Sequence, residues 1–83
     1  MDYEKKLIDM GYSRFYEKIF YRKFRNGITL FFEFYDDWEL AECYVNTGTV
    51  VIKTQEAIDD YQIALNNLNK DLRELENEIR NIK

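Results

Sequence analysis

The chain has no histidine, no proline, a single cysteine and three glycines, and each shortage removes a class of chemistry. Without histidine and with one thiol, neither a Ser/His/Asp nor a Cys/His nucleophilic site can be assembled, and a Cys/His zinc site lacks ligands. The glycines at 11, 27 and 48 fall in no G-x-G-x-x-G or G-x-x-x-x-G-K-[ST] frame, so no phosphate-cradling loop is present. A lone cysteine argues against a small secreted domain, which would carry paired thiols. Cys43 stands between Glu42 and Tyr44, beside no base that would activate it, and reads as an inert packing residue. The longest stretch without charge covers residues 43–52, about half the roughly 20 apolar residues that a bilayer requires, so no membrane association is expected. Met1-Asp2-Tyr3-Glu4 leads into no apolar segment, so no secretory signal and a cytoplasmic location are expected. Carboxylates and tyrosines are what remain, and no motif names a reaction. A non-enzymatic protein without cofactor or metal is the expectation.

What is there is 83 residues, 46% apolar and 34% charged, enough for one small domain over 1–83 and too little for two. The net charge of -4 conceals a dipole. Residues 1–25 carry seven bases against four acids, residues 26–60 carry eight acids against Lys53 alone, and residues 61–83 are balanced. An acidic middle of this kind favours basic partners and repels phosphate backbones, so direct nucleic-acid binding is not expected. Eleven of the fourteen aromatic residues fall between Tyr12 and Trp38, where aromatic and β-branched enrichment predicts strands.

Helix formers over residues 2–10, with Tyr3, Leu7 and Met10 at helical spacing and Gly11 where a C-terminal cap belongs, predict a short N-terminal helix within 1–11. Asn26-Gly27 supplies the two positive φ angles of a type I′ turn and predicts a hairpin between strands over 15–25 and 28–35. With those two residues as the whole loop, Arg25 faces Ile28 and Ile19 faces Phe34. One face then joins Ile19, Tyr21, Lys23 and Arg25 to Ile28, Leu30, Phe32 and Phe34. The other joins Lys18, Phe20, Arg22 and Phe24 to Thr29, Phe31, Glu33 and Tyr35, and is expected to be covered by the first helix or a second subunit, with a protein-binding surface as the other reading. A turn at 36–39 leads to strands over 40–45 and 49–53. The predicted class is α+β, a short N-terminal helix, a four-stranded antiparallel meander within 15–53 and a long C-terminal amphipathic helix over 54–83.

Thr54 is a plausible N-cap, with Glu56, Asp59 and Asp60 in the favourable field of the first turns. Ile58, Tyr61, Leu65, Leu68, Leu72, Leu75, Ile79 and Ile82 recur at alternating steps of three and four, the seam of a coiled coil. Such a helix is about 43 Å long against about 20 Å for the sheet. Ile58, Tyr61, Leu65 and Leu68 are therefore expected to cross the sheet, while Leu68, Leu72, Leu75, Ile79 and Ile82 form a dimerisation surface at and beyond its edge. Folding back within the chain and a foreign helix remain open as other covers. Flanking charges give a parallel pair no electrostatic selection, which favours an antiparallel homodimer or a heterologous partner helix.

Glu33, Asp36, Asp37, Glu39 and Glu42 are the densest acid cluster, with Glu56, Asp59 and Asp60 further along. Their spacing matches no EF-hand loop. The three readings are carboxylates converging on Mg²⁺ or Ca²⁺, which the spacing does not favour; a solvated turn; and an edge that presents carboxylates to a basic protein surface, with Trp38 as its anchoring aromatic.

The run Arg25-Asn26-Gly27-Ile28-Thr29-Leu30-Phe31-Phe32-Glu33-Phe34 is followed by acids and a C-terminal helix, in a chain rich in Lys, Ile, Asn, Tyr, Asp and Glu. In style it resembles the small acidic proteins encoded by phages and mobile elements of AT-rich Gram-positive hosts. Many of these inhibit host defence or host enzymes, some as anti-CRISPR proteins that imitate DNA. The resemblance covers residues 25–83 loosely. It implies a stoichiometric inhibitor, acting in the host cytoplasm on a basic nucleic-acid-binding site such as that of a CRISPR effector, with no catalytic residue to transfer. The alternative is a coiled-coil structural, assembly or adaptor protein of a phage, in which the sheet is a cap and the helix the working part.

Overall fold

The computed structural model describes residues 3–48 and 52–82, with side chains as far as Asn77. Helix α1 (Tyr3–Asp9) is followed by β1 (Ser13–Tyr16), β2 (Ile19–Lys23), β3 (Thr29–Phe34), β4 (Leu40–Asn46) and α2 (Gln55–Ile82). The strands form one antiparallel sheet in the order β1-β2-β3-β4, so the predicted α+β meander between a short and a long helix is the fold. Both helices lie on the same side of it. Leu7 of α1, Tyr12 ahead of β1, Phe20, Leu30, Phe32 and Phe34 of the sheet, and Ala64, Leu68 and Leu75 of α2 make one buried cluster. In β3 the alternation is regular, with Leu30, Phe32 and Phe34 buried and Thr29, Phe31 and Glu33 partly exposed.

Local chemistry sets the helix ends. Gly11 adopts φ 95°, its N–H donates to the Ile8 carbonyl at 3.0 Å, and the Tyr12 N–H reaches the Leu7 carbonyl at 2.9 Å. This is the Schellman arrangement, completed by the apolar contact of buried Leu7 and Tyr12. At α2 the Thr54 hydroxyl accepts the Ala57 N–H at 3.1 Å, the predicted N-cap.

Four sequence expectations are corrected. The strand expected over 15–25 is two strands, because Glu17 takes φ 32° and turns the chain so that Tyr16 pairs with Ile19. The hairpin register is one residue away from that expected, with Phe20 opposite Phe32 and Lys23 opposite Thr29. Asn26 and Gly27 do have positive φ, and the Ile28 N–H bonds the Arg25 carbonyl at 3.1 Å, but the Ile28 carbonyl takes its hydrogen from Phe24, at 2.7 Å. Arg25 is thus an extra residue, and one extra residue turns every side chain of β2 over. Phe20, Arg22 and Phe24 consequently share the covered face with Leu30, Phe32 and Phe34, whereas Ile19, Tyr21 and Lys23 face outward with Phe31 and Glu33. The second face is accordingly not covered by α1. The last strand expected, over 49–53, lies outside the described residues at 49–51 and is not a strand at Ile52 and Lys53.

The fourth correction concerns α2. Its buried stripe is Asp60, Ala64, Leu68, Asp71 and Leu75, at steps of four, four, three and four, and Ile58 is 41% exposed. Leu75, expected beyond the sheet, is 1% exposed, and Leu72 packs on the same cluster. Two aspartates hold this stripe to the sheet. The Asp71 carboxylate accepts the Tyr12 hydroxyl at 2.8 Å and Arg22 Nη2 at 2.8 Å, with the guanidinium 5.3 Å from the Tyr12 ring centre. The Asp60 carboxylate accepts the Asn26 side-chain amide and lies 3.7 Å from Arg25.

Removing one member of a buried, hydrogen-bonded ion pair leaves the other without compensation and costs about 3–5 kcal/mol. Asp71→Ala is expected to lose this amount in urea denaturation, a large part of the roughly 4–12 kcal/mol that a chain of this size has. Leu75→Ala is expected to lose about 2–5 kcal/mol by leaving a cavity, whereas a helix end free in solvent would lose almost nothing.

Candidate protein-binding surface

The side of the sheet turned away from the helices carries one aromatic ring from each strand, Phe15, Tyr21, Phe31 and Tyr44. Register produces the row, since Tyr21, Phe31 and Tyr44 are successive cross-strand partners, and a bulge between Arg14 and Tyr16 brings Phe15 alongside. Phe31 stacks on Tyr44 at 5.1 Å, Tyr21 lies 6.4 Å from Phe31, and Phe15 stands edge-on to both Tyr21 and Phe31 at 6.1 and 6.2 Å. Phe15 is 64% exposed.

One step along the strands the face turns acidic. Glu33 and Glu42 are direct cross-strand partners, an arrangement that destabilises a sheet through like-charge repulsion. The Tyr44 hydroxyl donates to Glu33 at 2.6 Å and offsets part of that. Glu17, on the turn between β1 and β2, comes to the same end, as do Asp36, Asp37 and Glu39 on the turn between β3 and β4. Between the two turns lies a cleft of about 320 Å³ whose lining includes Tyr16, Glu17, Lys18, Glu33, Tyr35 and Asp36. Among the described residues none of these carboxylates has an ion-pair partner; nearby Lys18 instead holds its ammonium 4.7 Å from the Trp38 ring.

The carboxylates expected to form one edge are divided between two ends of the sheet. Glu33, Asp36, Asp37, Glu39 and Glu42 are together. Asp60 is 6% exposed and bonded at the opposite hairpin turn, around Asn26, and Glu56 and Asp59 stand exposed on the first turns of the same helix. Trp38 does not project. Its backbone is left-handed, φ 66°, and its ring stacks on Tyr3 at 5.6 Å and meets Phe34 at 5.4 Å, which makes it part of the core wall. Of the expected dimerisation residues, Leu68 and Leu75 are buried within the chain and Leu72 is half-buried, while the side chains of Ile79 and Ile82 lie outside the described residues. Glu17 was missed because it reads as mid-strand; its one signal is the charged pair Glu17-Lys18 interrupting an aromatic run.

Among the described residues no three His, Cys, Asp or Glu side chains converge as metal ligands, and no helix is long and apolar enough to cross a membrane. Burial pushes the Cys43 thiol up, with Glu76 and Glu42 adding to the effect, so the thiol is held in its unreactive form. Compared with known proteins, the chain matches no family model, no curated protein and no solved structure.

The Tyr44 phenol is pushed up to about 12, first by its hydrogen bond to Glu33 and then by burial. Tyr12 is also raised, by burial and by Asp71. A raised phenol pKa means that the fold favours the neutral form. The stabilisation is complete below about pH 10, the unfolded value, and is lost as pH rises through the folded value. Alkaline titration followed by phenolate absorbance should show one tyrosine titrating near 12 that Tyr44→Phe removes. Tyr12 should ionise only as the chain unfolds.

Proposed function

We propose that the chain is a non-enzymatic protein-binding inhibitor of the phage or mobile-element kind, which uses the acidic end of its sheet to occupy a basic, nucleic-acid-binding site on a host protein such as a CRISPR effector. The observation that carries this reading is the convergence of Glu17, Glu33, Asp36, Asp37, Glu39 and Glu42 at one end of the sheet without cationic partners among the described residues. Carboxylates left unneutralised on two adjacent turns present a concentrated negative field, which steers and holds a basic surface. The resemblance in composition to small acidic phage proteins points the same way. The assembly reading has less behind it, because the sheet of the same chain already covers Leu68 and Leu75, and self-association through the helix is not needed to hide them.

The test is competition. The wild-type protein is titrated into complexes of basic effectors with labelled DNA, at low and at physiological salt, beside the Asp36→Lys/Asp37→Lys/Glu39→Lys variant. The three positions are exposed and outside the core cluster; Asp37 accepts the Glu39 N–H within the turn, so a far-UV spectrum of the variant checks that the fold is retained. Wild type should displace DNA at low salt, with the effect weakening as salt screens it, and the variant should be about tenfold or more weaker. Equal displacement by both proteins at low salt would sink the electrostatic reading.

A further inference from the structure

The row of rings on the open sheet face has no role in the fold that would keep it outside. Phe15, Tyr21, Phe31 and Tyr44 hold one another, and neither helix covers them. The chain treats its other rings differently. Arg14 lies over Phe20, Lys18 over Trp38, Arg22 over Tyr12 and Arg25 over Phe24, whereas among the described residues no cation sits over any ring of the open row. Immediately beside that row stand Glu33 and Glu42, two carboxylates forced side by side by the register, with Glu42 exposed and bonded to no described residue. Lys23 lies at the other end of the face, two residues beyond Tyr21, and Lys18, which lines the cleft at the acidic end, holds its ammonium over the Trp38 ring.

A planar cation fits this combination. A guanidinium stacks on aromatic faces and at the same time donates bidentately to carboxylates, which a compact ammonium does less well. It would also relieve the repulsion between Glu33 and Glu42. Nucleobases would stack on the same rings, but the acids one step away repel the phosphates that come with them. A second copy of the chain suits the face poorly. Four strands about 4.8 Å apart and some five residues long present roughly 300 Å², well under the about 800 Å² per partner of a stable complex.

We propose that the open face of the sheet is a docking surface for an arginine-bearing segment of a partner protein, with the rings of Phe15, Tyr21, Phe31 and Tyr44 taking guanidinium planes and the Glu33–Glu42 pair taking their N–H groups. The proposal rests on the reading of the acidic end as the binding end, extends it from the turns onto the sheet, and specifies arginine as the recognised side chain.

The experiment uses the full chain, isotope-labelled, with a short arginine-rich peptide, a lysine-rich peptide of equal length and charge, and a single-stranded oligonucleotide. Amide shift mapping gives the site and fluorescence anisotropy gives the affinity. The variants are Phe15→Ala and Glu42→Gln, both at exposed positions; a retained cooperative melting transition and an unchanged far-UV spectrum check that the fold is kept. The expected result is tighter binding of the arginine peptide than of the lysine peptide, shifts centred on Tyr21, Phe31, Glu33, Glu42 and Tyr44, and about threefold to tenfold weakening by each variant. Equal binding of both peptides, with shifts confined to residues 36–39 and no response to the variants, would overturn the docking face and leave the acidic-end reading intact. Preference for the oligonucleotide would overturn it in favour of base stacking. Concentration-dependent shifts in the same rings without any peptide would overturn it in favour of a second copy. No binding of the arginine peptide also overturns it, and the acidic-end reading is then judged by the DNA competition alone.

Discussion

Asp71, on the buried stripe of α2, is shared by the Tyr12 hydroxyl and the Arg22 guanidinium, and it joins segments from both ends of the sequence to the middle of the sheet. A guanidinium on the covered face of a small sheet is unfavourable unless a counter-charge meets it there. With Asp71 in place, Arg22 can lie inward, and the register that turns Arg22 inward also turns Phe20 and Phe24 inward. Tyr21 and Lys23 are thereby sent outward. The composition of both faces follows from this one pairing.

The same point explains what the sequence could and could not reveal. Caps were legible because their chemistry is local: Gly11 ends α1 in a positive-φ conformation and Thr54 starts α2 with its hydroxyl. The Asn26-Gly27 turn was legible for the same reason. The bulge at Arg25 was not, because β2 and β3 alternate aromatic residues on both faces, so either register buries rings and hydropathy does not choose between them. The turn at Glu17 carries none of the usual turn residues. On α2, the leucine and isoleucine seam drew attention from the true inward stripe because two members of that stripe, Asp60 and Asp71, count as polar in any periodicity. A pattern read from hydrophobicity misses contacts made by buried ions.

Sequence proximity suggested one edge for the acid cluster, but β3 carries the chain from the Asn26 turn to the other end of the sheet, so Asp60 and Asp36 end up at opposite poles. At one pole the aspartate is engaged inside the molecule by Asn26 and Arg25; at the other, Glu33 accepts the Tyr44 hydroxyl and Asp37 the Glu39 N–H, and no carboxylate has a cationic partner among the described residues. Trp38 follows the same logic. Its left-handed backbone would suit a glycine, and the ring contacts with Tyr3 and Phe34 compensate for that strain while taking the residue out of the surface.

The distance along the chain between Tyr12 and Asp71, 59 residues, bears on how the protein is made. During synthesis all four strands leave the ribosome before the part of α2 that covers them. Until then the inner face presents Phe20, Leu30 and Phe32 around an Arg22 that has no counter-charge. The meander has only local hairpins to hold it in that interval, and isolated hairpins are marginal in water. Assembly is therefore completed only when α2, made after the strands, brings its aspartate to Tyr12 and Arg22, and a nascent product cut short before α2 would be left as an open, adhesive sheet.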